Sequence, residues 1–257
     1  MSYPLLHPDT VTHAQAWRFF ARRKPVYDAM MRSLRGLVPP QQGVVDVGAN
    51  IGYFSYKLRT ELQARGSFFL FEPHPNLARL CRETFDDAPD VQVQELALGA
   101  EDGQATLYLA ADGNIGWNTM VAERREHEMQ PVTVMVRRFD SLNLRNIGFV
   151  KIDVEGFEWA VIEGMKRFFS TGERPTLLIE IGWGIRHPHW DRAVSEFSFL
   201  ESIGYRFYTL DLEPIDFRTV SRTTDVIAAS SIDFSRIGRT TSAGSASSRP
   251  EHRLSGW

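Results

Sequence analysis

A chain of 257 residues that is 43% hydrophobic and 24% charged can bury one large core, and α/β domains of this length are often single. Its net charge of -3 gives no electrostatic ground for a nucleic-acid partner. The single cysteine, Cys81, excludes an internal disulfide framework and fits a reducing compartment; with no apolar run near the roughly 18 residues of a membrane span and no leader-like start, cytoplasmic residence is the expectation.

In chain order, Trp17, Phe20, Val26, Met30 and Leu34 recur at near-helical spacing, interrupted by Pro25, which predicts packing helices over residues 1–43. The basic run Arg22, Arg23, Lys24 reads as a solvated helix face. Val44 to Leu58, VVDVGANIGYFSYKL, then passes from an apolar strand through a glycine-bearing turn into a helix. Asp46 stands at the strand's end, and Gly48 and Gly52 let the backbone approach a ligand where a Cβ would collide. Free amides and the positive end of the helix dipole would face that ligand. Asp46, Gly48, Asn50 and Gly52 are therefore cofactor-binding candidates. The Gly-x-x-x-Gly spacing departs from the Gly-x-Gly-x-x-Gly of dinucleotide-binding turns and argues against NAD.

A second apolar strand, Ser67 to Phe71, ends at Glu72, placed where a carboxylate can accept both hydroxyls of a ribose. Its other reading is a cap on the helix beginning near Pro75 and Asn76. Val91 to Leu96 predicts a third strand, and Ala105 to Ala110 with Val132 to Arg138 an inserted β-ribbon. The loop between the ribbon strands carries Asp112, Gly113, Asn114, Gly116, Trp117 and Asn118, either a lid that contacts the acceptor or a plain exposed turn. Phe149 to Asp153 and Thr176 to Ile181 complete five short apolar strands alternating with helices. That is the pattern of a mostly parallel, doubly wound α/β sheet.

The chemistry is sought at the carboxyl ends of those strands. In KIDVEG, a period of two sends Lys151, Asp153 and Glu155 to one side. Asp153 is the first choice for a general base or acceptor-orienting group, Glu155 the second, and Lys151 an orienting partner, since a lysine near two acids stays protonated. The competing reading is a charge network in which Asp153 or Glu158 only neutralises a buried Lys151. Glu180, ending the fifth strand, could bind the acceptor or, with Asp153, a divalent cation; no metal-ligand spacing is specific enough to predict a metal. His187 and His189, around Pro188, are further acceptor-side candidates.

Taken together, DVGANIG, FEP, ALG at Ala97 to Gly99, GWNTMVAER at Gly116 to Arg124, and FVKIDVEGFEWAVIEG closely resemble the FkbM family of methyltransferases, in order, across roughly Val44 to Leu210. The resemblance implies a Rossmann-like class I methyltransferase fold. It also implies S-adenosylmethionine as methyl donor with Ala97 added to the cofactor-binding set, and O-methylation of a hydroxyl on a sugar, glycan or natural-product small molecule. It does not identify the acceptor. Two rivals stand beside it: an NAD-dependent sugar oxidoreductase using Tyr53 and Lys57, and a non-catalytic relative that only binds S-adenosylmethionine. The catalytic domain is expected over 44–232. Ile237 to Ser248, poor in large apolar groups, predicts a disordered tail from 233 onward.

Overall fold

The computed structural model of the protein describes residues 6–110, 114–124 and 129–232; the expected tail lies outside the described residues. Two helices open the described chain, α1 (His13–Arg22) and α2 (Lys24–Leu34). Thr12 and Gln15 form a reciprocal capping box on α1. Pro25 sits in the first turn of α2, where its missing amide is not needed. The interruption in the helical pattern is thus a boundary between two helices.

The first βα unit is β1 (Gly43–Val47) and α3 (Tyr53–Glu61), followed by β2 (Phe68–Phe71) and α4 (Pro75–Thr84). Next come β3 (Val91–Gln94), β4 (Ala97–Leu98), and a ribbon of β5 (Gly103–Leu109) and β6 (Gln130–Arg137). The chain continues through β7 (Ile147–Ile152), α5 (Glu158–Glu163), α6 (Lys166–Ser170), β8 (Thr176–Ile181) and α7 (Trp190–Ser202). It closes with β9 (Arg206–Tyr208) and β10 (Thr224–Ala229).

Seven strands form one sheet in the order β3-β2-β1-β7-β8-β10-β9, with β10 antiparallel to both its neighbours. A small sheet, β4-β6-β5, carries the ribbon. Alternation along each central strand splits the core into two layers. Val45, Val47, Val150, Ile152, Leu177 and Ile179 pack with Trp159, Phe168 and Phe197 from α5 to α7, whereas Val44, Phe149, Leu178 and Ile227 pack with Met31, Leu34, Phe54 and Leu58 from α2 and α3. Each side chain so enclosed contributes about 1.5–3 kcal/mol. The expected mostly parallel, doubly wound sheet with a ribbon insertion is the observed one.

One local expectation is corrected. The third strand stops at Gln94, its last register partner being Phe71, and the chain bends so that Ala97 and Leu98 pair with β6 in the other sheet. Ala97 is buried among Leu107, Leu109, Val134 and Val136, so its methyl group belongs to the ribbon's core. The last two strands, β9 and β10, were not anticipated, and β10 supplies a residue of the site below. The chain reverses its strand order between β1 and β7, which opens the crevice at the carboxyl ends of these strands. No described helix is long and apolar enough to cross a membrane.

Candidate functional site

The turn after β1 has the positive φ values its sequence suggests, 78° at Gly48, 51° at Asn50 and 79° at Gly52. The glycines also make room for close packing inside the fold. A Cβ on Gly48 would lie 1.9 Å from the carbonyl oxygen of Asp153, and one on Gly52 would meet the Phe85 ring at 2.5 Å. Both glycines thus let the β1 turn touch the β7 turn and α4. The turn's amides are also engaged: Gly48 and Ala49 donate to the Phe71 carbonyl, Asn50 to Glu72 Oε2 at 2.8 Å, Ile51 to Asn50 Oδ1, and Gly52 to the Ala49 carbonyl.

Glu72 is 5% exposed and accepts from the amides of Asn50 and His74 (2.9 Å). Burial lifts its pKa to about 7 against the pull of these two hydrogen bonds. The cap of α4 is His74, whose side chain accepts from the Leu77 amide; Glu72 ties that corner to the glycine turn. Asp46 is fully buried, accepts from Ser55 Oγ at 2.7 Å and lies 3.3 Å from Lys151 Nζ. Its two oxygens thus face Ser55 and Lys151.

Lys151 bridges the two halves of the crevice. Its Nζ lies 3.1 Å from Asp153 and donates to the Gly48 carbonyl at 3.3 Å. Burial opposes its charge, but Asp153 and Asp46 outweigh burial and hold its pKa above the ordinary lysine range. It remains a cation, as the sequence predicts. Asp153 keeps 37% of its side chain exposed, open to the crevice. Glu155 follows in left-handed backbone, φ 54°, a conformation that costs a non-glycine residue about 1–2 kcal/mol. Two contacts hold it there: Glu158 Oε1 accepts the amides of Gly156 (2.9 Å) and Val154 (3.3 Å), and Thr119 Oγ1 donates to the Glu155 carbonyl at 2.5 Å. Burial raises the pKa of Glu158 to about 8.

Glu180 faces this turn from β8. One oxygen each from Asp153, Glu155 and Glu180 lies within 4.8 Å of the others. Glu180 Oε2 is enclosed with no hydrogen-bond partner among the described residues. Its register partner across the sheet is Asp225 on β10, which puts both carboxyls on one face. Burial, then Asp153 and Glu155, push Glu180 well above the carboxylate range; burial and Asp153 lift Asp225 to about 7. Positive charge comes from Lys151 and from Arg23, at the junction of α1 and α2, whose electrostatic neighbours include Tyr27, Glu155, Asp153 and Glu180. Tyr27 in turn feels Lys151, Asp153, Arg23 and Asp225. Cations thus already stand beside the three acids, and we assign no metal to them.

The ribbon loop closes the remaining side. Asn50 Nδ2 donates to the Ile115 carbonyl at 2.7 Å, and Thr119 reaches Glu155, so residues 114–119 span from the turn after β1 to the turn after β7. Asn118 Oδ1 accepts from the Ala110 amide, and Trp117 is half-buried in the same stretch. Asp112 and Gly113 lie outside the described residues. His187 is 6% exposed, stacks on Trp183 at 5.0 Å and accepts from the His189 amide through Nδ1. Its Nε2 would lie 2.9 Å from a Cβ on Gly156, so it supports the acidic turn from behind. Burial lowers its pKa.

Sequence reading missed Asp225, Arg23, Tyr27 and Thr119. An acid inside the short apolar run TDVIAA was the available signal for Asp225; Arg23 was hidden in a run that reads as solvated. Tyr53 and Lys57, by contrast, are committed to packing. Tyr53 is enclosed by Trp17 and Tyr27, and Lys57 pairs with Asp28 at 2.6 Å and with Glu61. An oxidoreductase using that pair has no support in this geometry.

The sequence profile of the Methyltransferase FkbM domain matches residues 46–207. "Methyltransferase 1" of Beauveria bassiana (strain ARSEF 2860) is 26% identical over 152 residues, covering 49% of this chain and 59% of that protein. The crystal structure of Methyltransferase FkbM from Methylobacillus flagellatus KT superposes with a TM-score of 0.50 at 17% identity, covering 77% of this chain and 47% of the other. A putative rRNA methylase from Clostridium thermocellum gives 0.48 at 8% identity over 77% and 92% of the two chains, too distant to bear on the acceptor. The chain thus spans little more than half the length of the first and under half of the second. With the profile covering well over half of its residues and the turns of that profile assembled at one crevice, the chain belongs to the FkbM methyltransferase family.

Proposed function

We propose that the protein transfers the methyl group of S-adenosylmethionine to a hydroxyl oxygen of a sugar, glycan or natural-product small molecule. The observation that carries this reading is the crevice itself, where Asp153, Glu155 and Glu180 converge beside Lys151 at the carboxyl ends of β7 and β8. Vicinal hydroxyls need acceptors and a donor side by side, and this arrangement offers both. Two cations beside four carboxyl groups, Asp225 included, leave no net positive charge to attract a polyanion such as RNA.

On the cofactor side, Glu72 holds the Asn50 turn and keeps further lone pairs for ribose hydroxyls. Gly48, Asn50, Gly52 and the ALG bend at Ala97 shape the wall, and Asp46 fixes Lys151 behind it. The donor supplies an already activated methyl group. What remains for the chain is alignment of acceptor oxygen and methyl carbon, worth roughly 7–11 kcal/mol, and disposal of one proton. Asp153 and Glu155 hold the acceptor, Glu180 lies between it and the donor, and Trp117 and Asn118 cover it.

The test is methyl transfer from methyl-labelled S-adenosylmethionine to two acceptor sets, neutral glycosides and structured RNA. Label in a base-stable ether on a glycoside is the expected outcome. Label in RNA alone would contradict the reading.

A further inference from the structure

Glu180 and Asp225 are register partners on neighbouring antiparallel strands, and Asp225 lies outside the segment that the family profile covers. Glu180 Oε2 is sealed from solvent without a hydrogen-bond partner, within a 4.8 Å cluster that includes Asp153 and Glu155. The pair is one step removed from Lys151, which is already held by Asp153, Asp46 and the Gly48 carbonyl. Resting on the reading of this crevice as the methyl-transfer site, we propose that Glu180 and Asp225 distinguish the sulfonium donor from its neutral thioether product by acting as its counter-charge.

The physical basis is that a buried carboxyl pair next to further acids cannot hold all its negative charge alone. Both groups bind protons more tightly than ordinary carboxyls, through burial first and then through Asp153. The charged and titratable groups that face them are Asp153 and Glu155 from the β7 turn, Glu158 at the start of α5, Lys151 from β7, Arg23 from the α1–α2 junction and Tyr27 from α2. A cation entering the crevice favours the ionised form of the pair and expels a proton. In the transfer step the acceptor oxygen bonds to the methyl carbon and the carbon–sulfur electron pair returns to sulfur, so the positive charge disappears. The vacated carboxylate then takes the hydroxyl proton, and the pair regains its resting state beside a neutral product.

The sign follows from linkage. Below the pH at which the pair ionises in the presence of the cation, donor binding expels nothing. Between that pH and about 7, where Asp225 ionises in the free protein, each unit of pH strengthens donor binding, up to about tenfold for one proton released. Above it the preference is level. The amino and carboxyl groups common to S-adenosylmethionine and S-adenosylhomocysteine cancel in the ratio of their affinities.

Calorimetric titration of both ligands from pH 5 to 8, in buffers of differing ionisation enthalpy, reads the proton count directly. The expected result is a donor-to-product affinity ratio that climbs with pH and a proton released only by the donor. Asp225→Asn and, separately, Glu180→Gln should flatten the ratio while S-adenosylhomocysteine still binds; having two isosteric variants guards against one failing to fold. Equal pH profiles for the two ligands, or unchanged proton release in both variants, would overturn the proposal. So would loss of the effect after exhaustive chelation, which would assign it to a divalent cation. Failure of either ligand to bind the wild type would instead overturn the methyl-transfer reading itself.

Discussion

The two walls of the crevice are built differently. The glycine-turn wall is locally complete: the amides of residues 48–52 all donate to protein acceptors, and Glu72 accepts twice. The acidic wall is drawn from β7, β8, β10 and the α1–α2 junction, and retains an enclosed carboxylate oxygen without a partner among the described residues. A wall whose polar groups are satisfied holds its shape before any ligand arrives. One with surplus carboxyls holds charge that a ligand can change. Cutting into the first should therefore cost stability, and cutting into the second should alter pH dependence and selectivity.

The largest effect is expected at Gly48. Gly48→Ala puts a Cβ 1.9 Å from the Asp153 carbonyl oxygen and forces alanine to φ 78°. A loss of about 3 kcal/mol or more should follow, read as a collapse of melting temperature or of soluble yield. Retention of wild-type stability would show that the two turns do not touch.

Glu72→Ala comes next. It strands the Asn50 and His74 amides, each costing about 1–3 kcal/mol when buried, and removes the proposed ribose contact. In the folded fraction, S-adenosylmethionine affinity should fall about 10- to 100-fold by calorimetry. Unchanged affinity would remove Glu72 from the cofactor wall and leave it as a brace.

Asp225→Asn should act with the opposite sign. A carboxyl whose folded pKa is raised to about 7 favours the folded state fully below its unfolded value, and that advantage is lost as pH rises through 7. The asparagine variant should therefore match the wild type at low pH and exceed it above pH 7 by about 1–3 kcal/mol. Parallel melting curves across pH 4–8 would show that Asp225 is not buried among acids.

Asp28→Asn is the smallest. Asp28 pairs with Lys57 at 2.6 Å and so ties α2, beside Arg23, to α3; Glu61 still neutralises Lys57. A slight drop in melting temperature with no change in cofactor affinity is expected. A large loss of affinity would mean that the helical pair positions the cofactor wall as well.

The same contrast explains what could be read from the sequence. The glycine-turn wall is nearly contiguous: Asp46 to Gly52 form one strand-turn-helix, and Glu72 follows one βα unit later. The KIDVEG turn is as local, so Lys151 as a permanent cation and Asp153 at the crevice mouth were both legible. The close packing at the glycines was not, because the atoms their Cβ would strike belong to Asp153 and Phe85, far along the chain. Asp225 escaped because its role depends on an antiparallel strand inserted after the parallel ones, a matter of topology that no local period encodes. Arg23 escaped because a basic run shows the same pattern whether it faces solvent or an acidic crevice.

The most direct test of methyl transfer at this crevice is titration of the purified wild-type chain with S-adenosylmethionine, S-adenosylhomocysteine and NAD in parallel. Saturable one-to-one binding of the first two, weakened in Glu72→Ala, with no heat from NAD, is the expected result. Binding of NAD, or no binding of either adenosyl ligand to a folded chain, would contradict it.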